Sequence, residues 1–186
     1  MASLHSLASI WFSLCATVLL TFVSVSAPVW AKIYFLRAGS VVFGVWGFSG
    51  SHVSVGYRFD AVANFNPRTL DTPLFLNLTR ALILHPIAAG LSALSLISGL
   101  PIYSRMASSS TVLFSALGSV VCLLAFLFDM VLFGVARTAL KKQNIEADYG
   151  NACWLTLGGL VSLSCVFATA SCGVIGRYRK SRRTHL

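Results

Sequence analysis

Apolar residues fall into four long runs, with the polar residues gathered between them. The runs cover about Leu7–Val29, Ala81–Ile102, Thr111–Ala136 and Ala152–Gly176, and each holds at most one residue charged at neutral pH. A helix needs about 20 mostly apolar residues to cross roughly 30 Å of hydrocarbon. Each run is long enough, so four transmembrane helices are expected. Between the first two lies a stretch of different pattern, Trp30–Arg80. Its segments KIYFLRA, SVVFGVWGF and HVSVGYRF are rich in Val, Ile, Tyr and Phe, with Gly39-Ser40 and Ser49-Gly50-Ser51 between them. β-branched and aromatic runs bounded by turn residues predict two or three short strands. The following NFNPRTLDTPLFLNLT reads as irregular chain or a short helix leading into the second span.

The fold class expected is therefore an all-α membrane bundle. Four spans carry a small β-rich extracellular domain between the first and second helices, and a basic tail, 177–186, closes the chain. Small residues recur at four-residue spacing within the spans, as Ala89 with Ala93, Ser95 with Gly99 and Gly158 with Ser162. Small faces let helices approach closely in lipid. The first run is expected to be retained, not cleaved. MASLHS lacks the Lys or Arg of a signal peptide, and the run exceeds the about 7–15 apolar residues such peptides use.

Composition agrees with a membrane class. Of 186 residues, 56% are hydrophobic and 10% charged, against about 25% charged in soluble domains. The mean hydropathy is +0.80. The net charge of +9 comes from basic residues that flank the spans. They read as contacts for anionic lipid headgroups and not for nucleic acid. Arg177, Arg179, Lys180, Arg182 and Arg183 follow the last span directly. By the positive-inside rule they place the tail in the cytoplasm, and with four spans the N-terminus as well. The Trp30–Arg80 loop then lies outside.

No HExxH, GxSxG, P-loop or zinc-spaced Cys/His cluster occurs, and the chain has only five acidic residues. No enzyme activity, cofactor or metal is expected. The five cysteines, Cys15, Cys122, Cys153, Cys165 and Cys172, fall within or at the ends of spans. Cys172, close to the basic tail, is a possible palmitoylation site. Asn77-Leu78-Thr79 is a formal glycosylation sequon, but it abuts the membrane, so its use is not expected.

Two polar residues stand inside the spans, His85 in the second and Asp129 in the third. Short-loop neighbours are antiparallel, which puts the two at similar depth. An intramembrane carboxylate turns inward and finds a partner. His85 is one possible partner of Asp129, and Arg137, further along the same helix, is another. The pair can be read as a proton-sensitive contact, since histidine titrates near 6.5, or as a satisfied structural pair. Pro86 sits within the first turns of its span, where a missing N–H costs least.

LILHPIAAGLSALSLI (82–97), FDMVLFGVARTAL (128–140) and GNACWLTLGGLVSL (150–163) resemble the second, third and fourth spans of the fungal PalI-type four-span membrane proteins. In the outer loop, FGVWGFSG and GYRFD are similar to two further segments of that family. Gly44 and Gly47 carry the Gly-x-x-Gly-aromatic pattern of the first of these segments, and the loop is also loosely similar to claudins through Trp30, Gly44, Val45 and Trp46. Ser49 stands where the first claudin cysteine would be, and no cysteine follows in the loop. The resemblance implies a multi-pass fungal plasma-membrane protein without enzyme activity. It implies an accessory of ambient-pH signalling that stabilises or localises a membrane sensor. The sister branch implies the alternative, a structural organiser of eisosome-type microdomains and cell-wall integrity, with self-association in place of a sensor. A small transporter or channel is a third reading, for which the spans offer few polar residues.

Overall fold

The computed structural model describes residues 2–59, 73–100 and 105–183, with side chains described for 7–59, 73–100 and 109–173. The expected end of the second span at Ile102, loop residues 60–72 and the basic side chains of the tail lie outside the described residues. Five helices and three short strands are present among them: α1 (Ala2–Ser24), β1 (Leu36–Ala38), β2 (Val41–Phe43), α2 (Pro73–Ala81), α3 (Leu84–Gly99), α4 (Arg105–Lys142), β3 (Ala147–Tyr149) and α5 (Asn151–Arg183).

Four helical stretches are long and apolar enough to span a membrane: Leu7–Ser24, Pro73–Gly99, Ser109–Lys142 and Asn151–Gly173. They form a bundle in which α1 packs on α3 and α5, and α4 packs on the same two. Large apolar side chains such as Trp11, Leu113, Trp154 and Val161 stay exposed on its outside. In water such faces would be costly, but against acyl chains they are the expected surface.

The helices depart from the expected spans in instructive places. α1 stops at Ser24, short of Val29. The chain then turns at Ala27, whose N–H donates to Ile33 O at 3.0 Å. The second span is two helices, with α2 preceding the expected start and a break at Leu82–Ile83. α4 has 38 residues, about 57 Å at 1.5 Å per residue, so it outruns the hydrocarbon. Its C-terminal part carries a soluble-like core. α5 continues as helix through Arg183, into the stretch expected to be a tail.

The small sheet has the order β2-β1-β3, antiparallel throughout. Leu36 faces Phe43 and Tyr149, Arg37 faces Val42 and Asp148, and Ala38 faces Val41 and Ala147. Its third strand therefore comes from the connection between α4 and α5. The expected donor, HVSVGYRF, supplies no strand among the described residues. Gly50 and Gly56 take φ of +90° and +81° on either side of its start, backbone that extended strands do not use. Ser54 N–H donates to Trp46 O at 3.0 Å, and Tyr57 N–H to Thr79 Oγ1 at 3.3 Å. The segment contributes rings instead. Tyr57 and Phe59 pack with Phe43 at centroid distances of 5.8 and 4.8 Å.

Buried residues form two separate apolar clusters. The one on the lid side joins Phe35, Leu36, Phe43, Tyr57 and Phe59 of the connection between α1 and α2 to Leu82 at the α2–α3 break and to Leu132, Phe133, Ala136 and Cys153 of the long helices. The inner one comprises Ala16, Leu20, Ala88, Cys122 and Leu163. The sheet thus lies as a lid on one end of the bundle, and a layer separates the lid's core from the bundle's own.

Candidate functional site

That intervening layer is polar. Along the second span it falls between Leu82 and Ala88, on α4 between Cys122 and Leu132, and on α5 between Cys153 and Leu163. The residues that fill it are His85, Asp129 and Thr156, each 0% exposed. His85 Nε2 lies 3.0 Å from Asp129 Oδ2 and 3.4 Å from Thr156 Oγ1. Three helices are thereby joined through one imidazole.

The local sequence sets the ring. In a helix, the carbonyl of residue 82 would accept the N–H of residue 86, but Pro86 has none. Leu82 O is instead taken by His85, through its backbone N–H at 3.1 Å and its ring Nδ1 at 3.0 Å. A carbonyl only accepts, so Nδ1 carries a proton. Thr156 donates its hydroxyl hydrogen to Ala152 O at 3.0 Å, which leaves a lone pair to face His85 Nε2. Asp129 Oδ1 is buried and has no partner among the described residues.

The lid closes over the cluster with Phe35. Its ring, fully buried, stacks on Phe133 at 5.1 Å and 6° and meets His85 edge-on at 5.2 Å and 65°. The backbone around it is tied to the start of α5. Gly150 N–H donates to Phe35 O at 2.8 Å and Ala152 N–H to Tyr34 O at 3.1 Å. Asn151 accepts from Tyr34 N–H at 3.2 Å and donates to Lys32 O at 3.0 Å. Gly150 has to be glycine, because a Cβ there would run into the Tyr34 carbonyl.

The outer-loop residues singled out from sequence secure the lid's other edge. Trp46 donates its indole N–H to Ser24 O at 2.7 Å, satisfying a carbonyl left open where α1 ends. Gly44 packs directly on the Ala27 backbone, and its carbonyl accepts the buried Tyr57 hydroxyl at 2.8 Å. Burial pushes that hydroxyl well above its ordinary range, and the charge of Asp129 pushes the same way. Gly47 has φ of +144°. Trp30, in the turn that follows α1, is exposed and edge-on to Phe22 at 5.7 Å.

Arg137 does not join the cluster. Its Nε donates to Ala147 O at 3.0 Å, and its guanidinium lies 3.6 Å from Asp148 and over the Tyr149 ring at 5.0 Å. It holds β3 against α4. Asn77 is exposed on α2, but the sequon's Thr79 hydroxyl is buried, donating to Leu76 O at 2.9 Å. Cys172 is exposed. Among the described residues, no group of three His, Cys, Asp or Glu side chains gathers as metal ligands.

Thr156, Phe35, Phe133 and Asn151 were not legible as site residues. Asn151 does carry a signal, as a helix-capping residue type directly before an apolar run. Phe35 carries none, since nothing local distinguishes it from the other aromatics of the loop.

No curated protein and no solved structure matches the chain. The family model described as the SUR7/PalI family matches residues 5–167, and with its four spans and its lid on one end of the bundle the chain belongs to that family of membrane proteins.

Proposed function

We propose that this chain is a non-enzymatic accessory of ambient-pH response at the fungal plasma membrane. It acts by holding a partner membrane protein, a sensor of the response, in place. Its N- and C-termini face the cytoplasm and the lid faces outward. Anionic headgroups meet the basic tail.

The observation that carries the reading is the sealed layer of His85, Asp129 and Thr156 beneath Phe35. A transport path or an active site needs its polar groups accessible to what it moves or converts. Here the intramembrane ionisable pair is fully buried, and its contacts join α3, α4 and α5. What the molecule offers to others is its exterior, made of exposed apolar helix faces and a docked outer lid. That is the form of a binding and stabilising partner. The family assignment and the resemblance of the second to fourth spans to PalI-type proteins supply the direction of the role.

The test is deletion of the gene, with growth and pH-dependent gene induction followed at alkaline pH and a tagged copy imaged in parallel. A lost response, restored by the tagged copy, is expected, together with loss of the sensor from the cell surface. A normal response with the protein clustered in membrane furrows would overturn the reading in favour of a microdomain organiser.

A further inference from the structure

We infer that His85, Asp129 and Thr156 form a binding site for one proton, and that its occupancy latches the outer lid to the bundle.

Hydrogen-bond direction fixes the proton count. Nδ1 of His85 is spent on Leu82 O at 3.0 Å, an acceptor only, so it stays protonated in every state that keeps this contact. The 3.0 Å contact between Nε2 and Asp129 Oδ2 then needs one hydrogen between them. It sits on Nε2, giving imidazolium and carboxylate, or on Oδ2, giving two neutral groups. Both forms hold the same single proton and the same net charge of zero. Thr156 selects between them. Its own hydrogen goes to Ala152 O, so the lone pair facing Nε2 favours the proton on nitrogen.

Without that proton, a lone pair on Nε2 faces a bare carboxylate. The layer would then hold an unpaired negative charge between two apolar cores, which is among the most costly arrangements a protein interior can have. Among the described residues, the ionisable groups that feel Asp129 besides His85 do not neutralise it. From α4 and α5, Cys122 and Cys153 are thiols close enough to feel Asp129, and from the lid so does Tyr57. All three could only add negative charge. α1 contributes Val23 to the cluster on one side of the layer and Leu20 to the cluster on the other, and Arg137 is occupied by Ala147 and Asp148.

The carboxylate therefore has to be hydrated, and the structure gives a direction for this. Inward lies the packed cluster of Ala16, Leu20, Ala88, Cys122 and Leu163. Outward lies the lid's own core, which meets His85 through Phe35, a ring on a short segment tied to the start of α5 by the bonds of Tyr34 and Phe35 to Gly150, Asn151 and Ala152 and to β2 by Phe35 N–H to Phe43 O at 2.8 Å. Lifting that segment opens the layer to water. Proton bound means lid closed; proton lost means lid released, so the lid loosens as pH rises.

The latch is a property of the chain alone and does not depend on the partner proposed above. Its test uses the full-length protein in nanodiscs. Hydrogen exchange at residues 33–38 and 147–152 is followed from pH 6 to 9.5 and expressed as protection relative to the intrinsic rate. Wild type is expected to lose tenfold or more of its protection across that range. His85→Leu/Asp129→Leu, which has no proton to lose, is expected to stay flat. Equal protection at both ends in wild type, or the same loss in the double variant, would overturn the proposal. Nitrogen NMR of the wild-type histidines needs no variant. It is expected to show both His85 nitrogens protonated at pH 6 and Nδ1 still protonated when Nε2 is not. A bare Nδ1 would overturn it independently. Failure here leaves the accessory role standing, and a normal alkaline response in deleted cells leaves the latch standing.

Discussion

The Nδ1 of His85 lies 3.0 Å from the carbonyl oxygen of Leu82, the very group that Pro86 leaves without its helical donor. A histidine directly before a proline thus repairs the backbone defect the proline makes. In doing so it turns its other nitrogen toward Asp129 and Thr156. The break between α2 and α3 is what aims the imidazole into the bundle.

Removing one member of the pair should be worse than removing both. Asp129→Ala leaves the buried imidazole without its counter-charge. Breaking a buried pair this way costs about 3–5 kcal/mol. His85→Leu/Asp129→Leu replaces the pair by apolar side chains and is expected to recover most of that loss, because such exchanges are often neutral or stabilising. Thermal unfolding in detergent of the two variants and wild type measures the difference. A double variant as unstable as Asp129→Ala would mean that the polar layer supports the bundle in some way other than charge pairing.

Much of this architecture could be read from the sequence, and the reasons differ by element. Span length and apolarity are local properties, so the four spans were legible, though not all their ends: the second helical stretch begins at Pro73 and the third runs on to Lys142. The meeting of His85 with Asp129 was open to inference, because a short connection makes antiparallel neighbours and an intramembrane carboxylate needs a partner. The origin of β3 was not legible. Ala147–Tyr149 is a three-residue segment, and only the distant outer loop makes it a strand. Phe35 is the same kind of case, since its role comes from Phe133 and His85 and nothing around it in the sequence marks it. Arg137 was plausible as a partner of Asp129 by helix spacing, but α4 continues outward to Lys142 and carries Arg137 into the lid.

Gly44→Ala should damage the lid. A Cβ at Gly44 would occupy the space of the Ala27 backbone, which cannot swing aside as a side chain could. Overpacking of this kind costs about 1–3 kcal/mol. The control is Gly173→Ala. Gly173 lies in α5, and a Cβ there meets nothing within 4 Å, so the better helix former is expected to be neutral or to gain up to about 1 kcal/mol. Midpoints of thermal unfolding compare the two. Equal midpoints would show that the Ala27–Gly44 contact is not tight in the folded protein.

Tyr57 predicts a stability loss at high pH. Burial raises its hydroxyl well above the ordinary value of 10.0, so the folded protein keeps a proton that the unfolded chain gives up. Above about pH 10 the unfolded state binds fewer protons, and stability falls as pH rises, by at most about 1.4 kcal/mol per pH unit for one group. Tyr57→Phe removes this contribution. Denaturant unfolding between pH 9 and 11.5 should show a shallower decline for the variant, although its stability at pH 8 is lower for want of the bond to Gly44 O. Parallel curves would place the loss on other groups.

Trp46 tests how the end of α1 is held. Its indole N–H gives Ser24 O its partner at 2.7 Å, and the neighbouring turn adds Val45 N–H to Ser26 Oγ at 2.9 Å. Trp46→Phe keeps an aromatic body in the lid but withdraws the donor. One hydrogen bond to a partly buried carbonyl contributes about 0.5–1.5 kcal/mol, and that loss is the expected change. Its location matters more than its size. The helix end should fray, so hydrogen exchange at residues 22–27 should rise several-fold while the amides of α4 keep their protection. A uniform change across the protein would mean that Trp46 acts through general packing, and that α1 ends at Ser24 because of Pro28 and the Ala27 turn alone.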